Sequence, residues 1–299
     1  MTTKKQIIKS QKGMALILTL MLLSILTAMV IEFSYGVYTT TSSLHNWQDS
    51  QRLSPIAKSG VSLAVNTISN IPQSEIYKFP PQITIPVAGI LSDFQGELFV
   101  SVEDENSRFN LNSIINENQT LNMDAYKFFR RLLKNLELKE EMADFVADWI
   151  DRDKEPRIRD SEENTKNSFM QSTDELLLIK GVDIETYAKL LPHITIYASD
   201  RTNPQLVNIN TASQAVIMSI TEGITRDIAG RIVLARPFES ISSVERVAPG
   251  LGLGPTKIVI RPSNFRITAS AEENKIRRLI ECVIEIKGST NVIKYWKEI

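Results

Sequence analysis

Eighteen consecutive uncharged residues, Met14 to Ile31, separate Lys12-Gly13 from Glu32 near the start of the chain. Wound as a helix at about 1.5 Å per residue they span roughly 27 Å, close to one hydrocarbon thickness of about 30 Å. From Ser34 to Ser50 the chain turns polar, with scattered anchors at Val37, Leu44 and Trp47. Apolar spacing then resumes at Leu53, Ile56, Ala57, Gly60, Val61, Ala64, Val65 and Ile68, the three- and four-residue steps of one helical stripe. A single helix, half in lipid and half lying on a globular domain, accounts for both patterns. Pro55 is expected to kink it, the alternative being a restarted helix with Ser54 as cap.

Beyond the helix, Pro72, Pro80, Pro81 and Pro86 favour an extended loop or edge strand. Glu97 to Glu103 alternates as a strand. Phe265–Ala269, Ile276–Ile286 and Val292–Ile299 alternate likewise, with turns at Glu272-Glu273-Asn274 and Gly288-Ser289-Thr290-Asn291. The pattern is four antiparallel strands laid on a long helix, an α+β arrangement. About 160 residues separate the first strand from the other three, far more than a loop holds, so a domain is inserted there.

The insert reads as all-helical. Phe128, Leu132 and Leu136, then Met142, Phe145, Val146 and Trp149, carry helical spacing. Two helix-hairpin-helix units follow. One runs from Ser172 through Gly181 to Leu191; the other runs from Asn208 through Gly223 to Arg236. Gly250-Leu-Gly-Leu-Gly254 precedes Pro255 and lacks phosphate-loop spacing, so it is a turn-rich connection.

Charge sets the orientation. The first thirteen residues hold Lys4, Lys5, Lys9 and Lys12 and no acid, which keeps them cytoplasmic and sends everything after Glu32 outward. A secretory signal peptide is the ordinary alternative, but Leu26-Thr27-Ala28-Met29 serves signal peptidase poorly. Cleavage between Gly13 and Met14 removes the leader and keeps the apolar segment. The net charge of −1 then falls to −5 with the loss of four lysines, which gives no overall attraction to nucleic acid or anionic lipid. The single cysteine, Cys282, sits in an apolar alternation as a small core residue. His45 and His193 lie on separate elements, and no hydrolase, metalloprotease or dinucleotide motif is present, so the chain does not read as an enzyme.

A basic leader, Gly13, then Met-Ala-Leu-Ile-Leu-Thr-Leu resembles the class III leader of type IV pilins and type II secretion pseudopilins. The resemblance implies cleavage by prepilin peptidase after Gly13 and N-methylation of Met14. Most of those proteins carry Glu at the fifth mature position, where this chain has Leu18. In a fibre the buried Glu offsets the α-ammonium of a neighbouring subunit, and a subunit with nothing above it has none to meet. Leu18 therefore marks the end of a fibre, a feature of the K minor pseudopilins. Glu103 to Asn112, Ala147 to Asp153, Glu175 to Thr195 and Val207 to Ala212 also resemble that family, as does the terminal Tyr-Trp strand.

This resemblance implies a pilin-like fold with a large inserted α-domain. The divisions are leader 1–13, helix and first strand 14–106, insert 107–262 and remaining strands 263–299. It implies a minor pseudopilin at the pseudopilus tip that initiates assembly and supports protein export. Its partners would be the I and J minor pseudopilins, the major pseudopilin fibre, prepilin peptidase and the bacterial inner membrane. The globular part would be periplasmic.

The family's insert also binds calcium. Asp151, Asp153, Glu155 and Glu162 occupy positions 1, 3, 5 and 12 of a twelve-residue loop, as in an EF-hand, with Asp148 and Asp160 in reserve. Pro156 stands where that loop needs Gly, and Arg152, Lys154, Arg157 and Arg159 oppose a cation. A solvated charge cluster is the alternative. Two other functions compete with the tip role: a membrane-anchored DNA-uptake protein using the hairpins, and a minor pilin of a type IV pilus. Against the first, Glu222 and Asp183 stand at the hairpin turns where phosphate would sit.

Overall fold

A computed structural model of the chain describes residues 3–87, 94–197, 205–287 and 290–299, with backbone alone for 3–12. Met1 and Thr2 of the expected leader, its lysine side chains, and Gly288-Ser289 of the expected last turn lie outside what is described. Helix α1 runs from Thr3 to Ser69 without a break, so Pro55 sits inside it and the restarted-helix alternative is not adopted. Leu53, Ala57, Val61, Ala64 and Ile68 are buried, one stripe turned to the sheet. Gly60 lies on that stripe because the sheet comes close: a Cβ there would stand 2.9 Å from Val100 Cγ2 and 3.3 Å from Ala269 Cβ.

The proline-rich stretch makes a short 3-10 turn at Ile76–Lys78 and then an edge strand, β1 (Gln82–Ile85). Strand β2 (Glu97–Asp104) follows. After the insert come β7 (Asn264–Glu273), β8 (Ile276–Lys287) and β9 (Thr290–Glu298). The five strands are antiparallel in the order β1-β2-β7-β8-β9, so the sheet has one strand more than the four that alternation predicts. The extra strand, β1, is the edge-strand alternative expected for the proline-rich stretch. Val100 pairs with Ala269, Val102 with Ile267, and Ile267 with Cys282, all buried under α1. Burial pushes the Cys282 thiol up to about 12, so it is an inert core residue.

Between β2 and β7 the chain builds a second core. Strand β3 (Phe109–Asn110) leads to helices α2 (Met123–Asn135) and α3 (Met142–Ile150). A 3-10 helix at Thr173–Leu178, capped by a Ser172/Glu175 box, precedes α4 (Ile184–Leu190) and β4 (Ile194–Thr195). Strand β5 (Val207–Asn208) precedes α5 (Gln214–Ile220), α6 (Arg226–Leu234), α7 (Ile241–Val247) and β6 (Ile258–Val259). Helices α2 to α6 fall where the spacing expects them, whereas α7 is unexpected and the first hairpin opens with a 3-10 helix. Added to them are two parallel pairs, β3·β4 and β5·β6, each two residues long. Gly181 and Gly223 take φ of +87° and +99° at the turns of the two hairpins. Phe109, Phe129, Leu132, Leu133 and Ile150 anchor this core, with Phe109 and Phe129 stacked at 5.8 Å.

The two cores meet at a buried polar seam just after β2. Glu105, with no exposed side-chain surface, accepts from Arg266 of β7 (Nη2, 2.6 Å; Nε, 2.8 Å), from Arg108 (2.8 Å) and from Thr195 of β4 (2.6 Å). Asp104 accepts from Asn208 (2.7 Å) and Thr211 of the insert, and from the Asn106 N–H. Asn210 donates to the carbonyls of Tyr77 (3.1 Å), Phe238 (2.9 Å) and Ile260 (3.0 Å), so one amide joins three separate segments. Buried polar groups at this density persist only when satisfied, which fixes how the insert sits on the sheet.

Candidate assembly helix and carboxylate cluster

The exposed half of α1 is the first candidate. From Met14 to Ile31 every residue is exposed, and the helix is long and apolar enough to cross a membrane, with a window of mean hydropathy 2.6. Its few hydroxyls are satisfied internally: Thr19 donates to Leu16 O (2.8 Å), Ser24 to Leu20 O (2.9 Å) and Thr27 to Leu23 O (2.7 Å). That is what a helix surface needs where no water can pair with it. Leu18 is 62% exposed on this surface, and Gly13 and Met14 stand together at its start. Phe33, Tyr35, Tyr38 and Trp47 continue the exposed surface beyond the apolar run.

The second candidate lies at the C-terminal end of α3. Asp148 and Asp151 are one helical turn apart, and Glu162 returns to them from the following loop. One carboxylate oxygen from each lies within 4.8 Å of the others. Asp148 and Asp151 are buried, whereas Glu162 is half-buried. Burial pushes Asp151 up to about 6 and raises Asp148 as well. Arg157 is the counter-charge, its Nε 2.8 Å from Asp148 Oδ1 and its Nη2 2.6 Å from Asp151 Oδ2. Ser161 Oγ and the Arg157 N–H (2.9 Å) both donate to Asp148 Oδ2.

Asp153 and Glu155 are not brought into this cluster. Both are exposed, and Asp153 Oδ1 accepts from the Glu155 N–H at 2.9 Å. Asp160, at φ +64°, faces Lys180 at 3.2 Å. The loop cannot close as an EF-hand because Pro156 holds φ fixed where the turn needs glycine. Arg157 and Ser161 were not singled out from sequence, since a basic residue inside a ligand loop reads as opposition and not as an internal ion pair.

A hard cation still fits the three carboxylates that do converge. Asp151 Oδ1 and Glu162 Oε1 are buried and lack hydrogen-bond partners, the kind of oxygen a calcium ion takes, while Asp148 Oδ1 is held by Arg157 Nε at 2.8 Å. Main-chain or water oxygens would have to complete its shell.

One cation beside the second hairpin, Arg131 of α2, is engaged internally. Arg131 donates to Ser219 O (2.8 Å) and Ile220 O (3.0 Å), the last carbonyls of α5.

Residues 107–199 and 207–261 match two family models, both described as type II secretion system (T2SS), protein K. Over those stretches the chain is similar to that family. It is 33% identical to type II secretion system protein K of Pseudomonas aeruginosa over 173 residues, 53% of this chain and 50% of the relative. It is 29% identical to the Aeromonas hydrophila protein over 230 residues, covering 66% and 68%. The aligned part thus spans about half the length of the Pseudomonas relative. A solved GspK-GspI-GspJ complex from enterotoxigenic Escherichia coli superposes with a TM-score of 0.64 at 18% identity, covering 87% of this chain and 99% of that one. That similarity establishes the α+β fold of long helix, antiparallel sheet and helical domain. The matched stretches contain the carboxylate cluster and both hairpins. The protein K family is a pseudopilin component of the type II secretion system.

Proposed function

We propose that this chain is the K minor pseudopilin at the tip of a type II secretion pseudopilus, held in the inner membrane before assembly with its globular part in the periplasm. The observation that carries the tip assignment is Leu18. A position that holds an acid in shaft subunits here presents a hydrocarbon on a fully exposed helix, so no carboxylate waits for an ammonium from above. The bulk of the insert is consistent with this, since it would block a further subunit. By likeness to the solved complex, the I and J minor pseudopilins are its partners, and the fibre below it is the major pseudopilin.

Prepilin peptidase would release the leader after Gly13 and methylate Met14. Mass spectrometry of the native protein tests this: a methylated Met14 terminus is expected, and a chain beginning at Met1 or within the apolar run would refute it. The tip role is tested by co-purification with I and J and by export in a strain lacking its own K protein. Wild type is expected to restore export. Purification with major pseudopilin alone would instead place the chain in the shaft.

A structural calcium belongs to the same proposal. Asp148, Asp151 and Glu162 would hold it and Arg157 would swing away, pinning the loop that follows α3.

A further inference from the structure

A groove of about 660 Å³ lies where the insert meets the outermost strand of the sheet. Its apolar wall is built by Pro81, Pro192, Ala212, Val233 and Leu234, and Arg236 closes one side. Leu234 is 86% exposed and Val233 38%, although they end a helix whose other face is buried. A lone exposed leucine needs no explanation, but one beside a second apolar residue, two prolines and a half-buried cation does.

Arg236 is the unusual member. Its Nη2 donates to Ala212 O at 2.6 Å, while its Nε is buried with no partner. Burial lowers its pKa to about 10, and no acidic group among the described residues offsets that loss. The other arginine of the groove, Arg108, differs in being fully matched by Glu103 and Glu105. The groove therefore carries one unanswered positive charge set in an apolar wall. A guanidinium left this way is costly unless a carboxylate arrives to answer its charge. Gln82, also in the wall, opens β1, which has a free edge among the described residues. Free edges supply main-chain hydrogen bonds to an extended peptide.

We infer that this groove is a docking site for an extended peptide segment of a partner protein, one carrying an Asp or Glu side chain between apolar residues. The carboxylate would meet Arg236, and the flanking apolar side chains would cover Leu234 and the two prolines. The inference stands apart from the tip assignment, because it rests on the groove alone.

The test uses the full chain in detergent micelles and fluorescence anisotropy of labelled eight-residue peptides. One has a Leu-Asp-Leu core and the other a Leu-Asn-Leu core. The acidic peptide is expected to bind about tenfold or more tightly than its amide counterpart, with the preference weakened by salt. Arg236→Gln should erase the preference and Arg236→Lys should keep part of it. Leu234→Ser, at a position too exposed to affect folding, should weaken both peptides. A thermal melt of each variant guards against unfolding, and if Arg236→Gln fails to fold, Leu234→Ser and the peptide pair still decide. Equal affinity for the two peptides would overturn the inference, as would absence of binding up to about 1 mM. Tighter binding of decanoate than of the acidic peptide would assign the groove to a fatty acyl chain. Self-association abolished by Leu234→Ser would assign it to a second copy of this chain. Either result overturns the peptide assignment.

Discussion

Glu105→Gln is the sharpest test of how the insert is fixed to the sheet. The side chain is wholly buried and accepts from two arginines and a threonine, at 2.6 to 2.8 Å. Glutamine keeps the shape but replaces one acceptor oxygen with a donor, which then faces guanidinium N–H groups. Arg266 would retain only Glu281, and Arg108 only Glu103, both partners being partly exposed. Breaking a buried pair by removing one member costs about 3–5 kcal/mol, and the remaining partners place this case near 3. Against total stabilities of about 5–15 kcal/mol that is a large fraction.

Urea unfolding of the full chain in micelles measures it. With a slope of about 3 kcal/mol per molar urea, the midpoint should fall by roughly 1 M. Trp149 reports the insert and Trp296 the sheet, and each is the single tryptophan of its region once Trp47 is replaced by Phe. Because Glu105 joins β7 to β4, both signals should move. A double-mutant cycle with Arg266→Gln should return a coupling of about 2 kcal/mol or more. A loss below about 1 kcal/mol, or a shift confined to one tryptophan, would refute the idea that this pair holds the two cores together.

The adjacent acid makes the opposite pH prediction. Burial pushes Asp104 up to about 6 from 3.8, so its folded form binds a proton more readily than its unfolded form. Its contribution therefore rises as pH falls from about 7 to 4, by about 3 kcal/mol, and Asp104→Asn should flatten melting temperature against pH in that window. For Glu105, burial raises the pKa, but Arg266 and Arg108 outweigh it and hold the group below 4.5. Its stabilisation is lost only below that value, which makes the two windows separable. In calcium titrations Asp148→Asn should abolish the gain in melting temperature and Asp153→Asn should leave most of it; the parent gain is about 2.7 kcal/mol at a hundredfold excess over Kd. No gain in the parent chain would remove the metal. Leu18→Glu should impair export and co-purification with I and J, and improved export would contradict the tip role.

The long helix and the long strands were legible because each rests on local periodicity, and the second core because the gap between strands was too long for a loop. Leu53 to Ile68 steps by three and four against one sheet face, and residues 264–298 alternate with turns of polar residues between them. Strands of a single repeat were not legible. The parallel pairs opened by Phe109-Asn110 and Val207-Asn208 have two residues a strand, and their existence depends on partners far along the chain. The 3-10 winding of Thr173–Leu178 was likewise hidden, since its capping box announces only that a helix starts.

The carboxylate cluster shows why linear spacing misplaces ligands. Positions 1, 3, 5 and 12 describe a loop that turns at a glycine, and Pro156 denies this chain that turn. Asp148 and Asp151 converge by another rule, the three-residue step of a helix, because α3 continues through Ile150 before the loop begins. A reading that carried helical spacing through Asp151 would have ranked Asp148 above Asp153. No such rule exists for the seam. Glu103-Asp104-Glu105-Asn106 resembles a solvated charge run by every local measure, and Glu105 is buried only because Arg266 arrives from 161 residues away. Polar burial is a property of the pair, so the member met first along the chain cannot announce it.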